Sequence, residues 1–136
     1  MVGHGRRRQV DRSRWRQFLT VGEHFGRAAD MAAGSEYWNA AGVLIVHAAV
    51  AMTDAITVRV GAIKHTGEDH GAAADLLGEV LAIDADGKRA IAHLRAILEE
   101  KTLVSYSGHV YRREDVGRMS RHLARYQAWA GRYLVP

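Results

Sequence analysis

The chain has 136 residues, 48% hydrophobic and 25% charged, a size and balance that bury one core without disulfide or metal staples. Its lack of cysteine excludes a disulfide framework, a thiolate metal centre and a cysteine nucleophile, and its single proline leaves little room for a turn-rich all-β design. The formal charge of +4 lies at the two ends: residues 1–18 hold six arginines and one aspartate, residues 19–106 seven basic and twelve acidic side chains, and residues 107–136 six arginines and two acids.

Residues 1–10, with glycines, three consecutive arginines and no apolar period, read as a mobile basic tail. A single domain follows over residues 11–136. Its first helix is expected over residues 11–33, capped by Asp11 or Ser13, with Trp15, Phe18, Leu19, Gly22, Phe25 and Ala29 at spacings of three and four. Gly22 and Gly26 on or beside that stripe let a neighbouring helix approach closely, which offsets the weakening a glycine brings to a helix. Gly34-Ser35 breaks the chain, and Ser35 is placed to cap the next helix. That second helix, over residues 36–63, is apolar nearly all round and therefore needs neighbours on most sides. It carries His47, Asp54 and Arg59, too much polarity for about 20 residues in lipid. No uninterrupted apolar core and cleavage site follow the basic N-terminus, so a cytoplasmic protein with no membrane partner is expected.

Residues 64–71 read as a polar loop and residues 72–83 as a short third helix. A turn at residues 84–87 offers Asp86 as cap for a fourth helix carrying Ile91, Leu94, Ile97 and Leu98, which fades between Lys101 and Ser107. The last helix spans residues 114–134, with Glu114 and Asp115 in its first turn, Arg132 in its last, and Val116, Met119, Leu123, Tyr126, Ala130 and Tyr133 facing inward. Five helices on short links predict an all-α, antiparallel, up-and-down bundle around the long buried second helix.

Four groups of side chains have chemical potential. Arg59 and His65, at a helix end and the following loop, could hold a phosphate and move a proton; the alternative is a surface arginine and a loop histidine. His47 and Asp54, seven apart on one helix face, read as a buried polar network or as a pocket acid and base. Arg118, Arg121, Arg125 and Arg132 form one stripe of the last helix, bordered by His122 and Trp129. Such a stripe tracks a phosphate backbone or is simply a solvated face; an exposed Trp129 would mark an interface. His65 and His70, with Glu68 and Asp69 between them, are metal-capable types, but they lack helical HxxxH or ExxH spacing, so no metal or other cofactor is expected.

Tyr37-Trp38-Asn39-Ala40-Ala41 running into Ile45-Val46-His47-Ala48-Ala49-Val50-Ala51 resembles the second helix of HEPN domains. Lys64-His65-Thr66 with Asp69-His70-Gly71, then Lys101-Thr102-Leu103-Val104-Ser105-Tyr106, then Arg113-Glu114-Asp115-Val116 are similar to later segments of that family, in the same order. The resemblance covers about residues 35–134. It implies a helical bundle from a family of ribonuclease toxins, defence proteins and RNA- or nucleotide-binding modules, a homodimer, and a toxin–antitoxin or defence setting with an antitoxin-like partner. Active members use an arginine, four to six residues, then a histidine, without metal, which Arg59 and His65 match. Val60 stands where the family has a polar residue. At the family's usual motif position, Lys101 replaces arginine and Ser105 replaces aspartate. The implied protein is an RNA- or nucleotide-binding member without strong catalysis, whose Lys101, Tyr106 and last-helix arginines contact nucleic acid. The alternatives are a metal-independent endoribonuclease using Arg59 and His65, and a protein-interaction bundle with no nucleic-acid role.

Overall fold

The computed structural model describes residues 6–136. In chain order it has a strand β1 (Arg7–Gln9), a 3-10 turn (Arg12–Arg14), α1 (Trp15–Gly34), α2 (Trp38–Gly61), β2 (Ile63–His65), α3 (His70–Val80), α4 (Ala85–Leu98), a six-residue α5 (Lys101–Tyr106), α6 (Arg113–Ala130) and a closing 3-10 turn (Gly131–Tyr133). The fold is an all-α bundle around α2. Fourteen of the 24 residues of α2 are buried, because a helix without a polar face must be covered by its neighbours. α2 also has the length and hydropathy of a membrane span, and 78% of its most apolar window lies inside the bundle.

Two antiparallel helix pairs organise the rest. α1 lies against α2, with Trp15 beside Arg59, Phe25 beside His47 and Gly22 beside Ala51 and Met52. A Cβ on Gly22 would sit 3.4 Å from the Met52 backbone nitrogen, so the close approach expected there is present. α6 runs back along α4, tied at one end by Arg118 to Glu100 (2.9 Å) and at the other by Arg132 to Asp86 (3.1 Å). The core joins Ile45, Ile56, Leu77, Leu94, Ile97, Met119 and Tyr126.

Several local expectations are corrected. Residues 1–5 of the expected mobile tail lie outside the described residues. Its remainder is ordered: β1 pairs antiparallel with β2, Arg7 opposite His65 and Gln9 opposite Ile63, and Val10 is buried and donates its N–H to the Ala62 carbonyl at 2.9 Å. Arg7 reaches on to α3, its guanidinium holding both carboxylate oxygens of Glu79. The break between α1 and α2 falls at Glu36, in the left-handed region at φ 63°, while Ser35 closes α1 and caps nothing on α2. Asp84 rather than Asp86 caps α4, accepting the Gly87 N–H at 2.8 Å, which leaves the Asp86 carboxylate for other partners. Asp11 caps the 3-10 turn before α1 through the Ser13 N–H.

The stretch expected to fade is α5, and Asn39 holds the link that follows it. The Asn39 amide donates to the carbonyls of Val104 (3.1 Å) and His109 (2.8 Å), and its oxygen accepts the Tyr111 N–H (2.8 Å). One side chain thereby satisfies three backbone groups that have no regular secondary-structure partner.

Candidate functional site

Arg59 occupies the last turn of α2 and is a structural bolt. Its guanidinium donates to the Tyr133 carbonyl (3.2 Å) and the Val135 carbonyl, and lies 4.1 Å from the centre of the Trp15 ring. It joins the end of the chain to the start of α1, and those bonds leave little of it to hold a phosphate. His65 lies on β2 and is 5% exposed. Burial pushes its imidazole below the ordinary histidine range, aided by Lys64 and Arg7 and opposed by a Gly67 backbone hydrogen bond and Asp69. Arg59 is not among the groups that shift it.

Lys101 and Tyr106 lie elsewhere again. Lys101 lines a cleft of about 290 Å³ with Glu68, Asp69, Arg95 and Glu99, where three carboxylates make a poor phosphate seat. Tyr106 ends α5, whose Val104 packs on Gly42 near the start of α2. Gly42 and Arg59 are about 25 Å apart at 1.5 Å per residue. The four residues on which a nuclease-like cleft depends are therefore not brought together within one chain.

His47 and Asp54 are also separated in environment. His47 is exposed and stacks at 5.3 Å on Phe25, so it is no part of a buried network. Asp54 is 6% exposed, and its partner is Lys64 of β2, with Nζ 3.4 Å from Oδ2. Burial outweighs Lys64 and the field of Arg8, and the carboxyl is pushed up to about 6. Beside it, the Thr53 hydroxyl donates to the Ala49 carbonyl (2.8 Å) and shares a 2.6 Å hydrogen bond with the fully buried Tyr126 hydroxyl. The buried polar cluster is thus Asp54, Lys64, Thr53 and Tyr126.

The expected arginine stripe divides into engaged and unengaged members, and Arg132 lies not in the last turn of α6, which ends at Ala130, but in the closing 3-10 turn. Arg118 binds Glu100, whose carboxylate also accepts the Tyr111 hydroxyl at 2.7 Å, and reaches Asp115 at 3.4 Å. Arg132 binds Asp86. Arg121 and Arg125 are exposed and make no ion pair among the described residues. Between them, His122 meets His93 of α4, with the two Nδ1 atoms 2.8 Å apart. Burial, then His122 and Arg125, hold His93 below the ordinary histidine range. Trp129, expected as an exposed interface residue, is 5% exposed and packs between Tyr126 and Tyr133 at ring separations of 6.0 and 5.0 Å.

Past the histidine pair, α4 and α6 open into a cleft of about 270 Å³ lined by Asp86, Arg89, His93, Arg125, Trp129 and Arg132. Three guanidiniums face one carboxylate there. The three-residue spacing of Asp86 and Arg89 was a readable signal for part of this cluster; the meeting of His93 with His122 depends on helix pairing and left none. Among the described residues no three His, Asp or Glu side chains gather as a metal site.

Compared with models of protein families, with curated proteins and with solved structures, the chain matches none.

Proposed function

We propose that this protein binds single-stranded RNA through the α4–α6 face, as a phosphate-contacting module without strong catalysis. The observation that carries this reading is the pair Arg121 and Arg125, exposed and without a carboxylate partner among the described residues, next to a cleft with Arg89 and Arg132. Guanidiniums left to solvent on one helix face are available to phosphate, whereas those of Arg59 and Arg118 are already engaged. The carboxylates of Glu68, Asp69 and Glu99 disfavour a polyanion at the cleft that holds Lys101.

The experiment is a fluorescence-anisotropy titration of a short 5′-hydroxyl RNA across a series of salt concentrations. Affinity should fall linearly with the logarithm of salt, and Arg121→Ala and Arg125→Ala should each reduce the slope by about 0.7. Salt-independent binding, or a slope unchanged in both variants, removes the reading. Incubation of the protein with RNA in EDTA tests the endoribonuclease alternative, in which cleavage must be lost in His65→Ala.

A protein-contact role is favoured by a different observation. Tyr37, Tyr106 and Val110 are 68%, 75% and 76% exposed, and Asn39 holds their segments side by side at one end of the bundle. Exposed apolar groups gathered in this way suit a homodimer or a partner protein. Sedimentation of the wild type against Tyr106→Ser tests it: a monomer at every concentration speaks against the homodimer, and a dimer lost in the variant supports it.

A further inference from the structure

We infer that the cleft between the first turn of α4 and the last turns of α6 is a seat for a phosphate monoester, in which Asp86 occupies the ligand's place until the ligand arrives. The inference rests on the RNA-binding reading only for the source of the phosphate: a 5′-phosphorylated RNA end or a free nucleoside monophosphate carries the same group.

The argument begins with what the Asp86 carboxylate does. It is not the cap of α4, a role that Asp84 fills. Its Oδ1 instead accepts from Arg89 on its own helix, and its Oδ2 from Arg132 after α6, at 3.1 Å. One anionic group thus bridges two guanidiniums on different elements. Both hydrogen bonds, and the charges of the two arginines, hold the Asp86 carboxyl below the usual carboxylate range. All three side chains are about half exposed or more so, and ion pairs in that setting hold weakly.

The rest of the wall has no anion to serve. Arg125 has no carboxylate partner among the described residues. His93 has its Nδ1 engaged with His122, which leaves its Nε2 for another partner. Trp129 is buried, and its indole N–H has no hydrogen-bond partner among the described residues. A buried donor without an acceptor is costly and uncommon, and Trp129 is one of the residues that line the same cleft. A phosphate monoester carries up to two charges and three acceptor oxygens. It can replace both bonds of the Asp86 carboxylate and engage Arg125 as well, a set that a monoanion with two oxygens cannot fill.

The test uses the full chain with two RNAs of one sequence, bearing a 5′-phosphate or a 5′-hydroxyl, and with adenosine 5′-monophosphate and adenosine as competitors. The 5′-phosphorylated RNA should bind roughly tenfold more tightly than its 5′-hydroxyl form, as expected for one added set of charge-assisted hydrogen bonds. The monophosphate should compete and adenosine should not. Arg125→Ala should abolish the difference between the two RNA ends. Asp86→Asn should widen it, because the masking charge is gone; Asp30→Asn, on α1, controls for the change in net charge. Thermal unfolding of each variant checks that these surface changes leave the fold intact.

Equal affinity for both ends with Asp86→Asn inert overturns the inference while leaving backbone binding standing. Monophosphate binding that strengthens in Asp86→Asn, with neither RNA bound, supports the cleft and removes the RNA reading. No binding of RNA or monophosphate overturns both.

Discussion

Asp54 gives the sharpest test of how this core is balanced. The carboxyl is 6% exposed, with one lysine 3.4 Å away, and burial still raises it from 3.8 to about 6. The folded protein therefore holds a proton on Asp54 at pH values where the unfolded chain has released it. The resulting stabilisation is fully present below pH 3.8 and is lost as pH rises through about 6. At about 1.4 kcal/mol per pH unit this separation is worth roughly 3 kcal/mol, of which roughly 2.4 kcal/mol falls between pH 4 and pH 7. Asp54→Asn keeps the shape of the protonated acid and cannot ionise. Urea unfolding of both proteins, followed by far-UV circular dichroism at pH 4, 5, 6 and 7, isolates the contribution, because every other titrating group is common to both. Relative to the variant, the wild type should gain roughly 2 kcal/mol as pH falls from 7 to 4. A difference that is flat with pH, or one that grows as pH rises, would refute the reasoning and show that Lys64 compensates fully for burial.

Three further outcomes follow from close contacts. A Cβ on Gly42 would sit 2.7 Å from Val104 Cγ2 and 3.4 Å from Met119 Sδ, so Gly42→Ala should cost about 1–3 kcal/mol by overpacking and loosen α5, read by chemical denaturation. Tyr126→Phe leaves the Thr53 hydroxyl without its 2.6 Å partner, and should cost about 1–2 kcal/mol, less than Thr53→Val, which strands the fully buried tyrosine hydroxyl. Arg59→Ala should lower the melting temperature by several degrees through the lost carbonyl bonds and Trp15 contact, and leave RNA affinity within about twofold. A large loss of affinity in a variant that melts normally would return Arg59 to the binding site.

What could be read in the sequence was what depends on angle and composition. The near-continuous apolarity of α2 announced its burial, and the three-and-four spacing in α1 and α6 announced their inward faces. What could not be read depends on which neighbour covers a given stretch. His47 and Asp54 share an angular position on α2, but β2 supplies Lys64 over Asp54 while His47 stays open beside Phe25. β1 and β2 were hidden for a related reason: three-residue strands rich in arginine, lysine and histidine have no pattern of their own and exist only because their backbones pair. Arg59 and His65 had a suggestive spacing, yet spacing along a chain cannot say that Tyr133 and Val135 return to claim the guanidinium. For the arginine stripe, periodicity placed Arg118, Arg121 and Arg125 on α6 but carried Arg132 into a helix that ends at Ala130, and it was silent about which would meet Glu100 or Asp86.

The last turn of α2 has a consequence for how the molecule opens. Ala62, which closes the helix in a left-handed conformation, accepts the Val10 N–H at its carbonyl, while Arg59, one turn earlier, donates to the carbonyls of Tyr133 and Val135 and lies over the face of Trp15. Segments more than 40 residues away in both directions are fastened to the same post. The two ends of the described chain should therefore not fray independently. In native-state hydrogen exchange, amides of β1 and of the closing 3-10 turn should open as one cooperative unit, at a free energy set by the seating of that single helical turn.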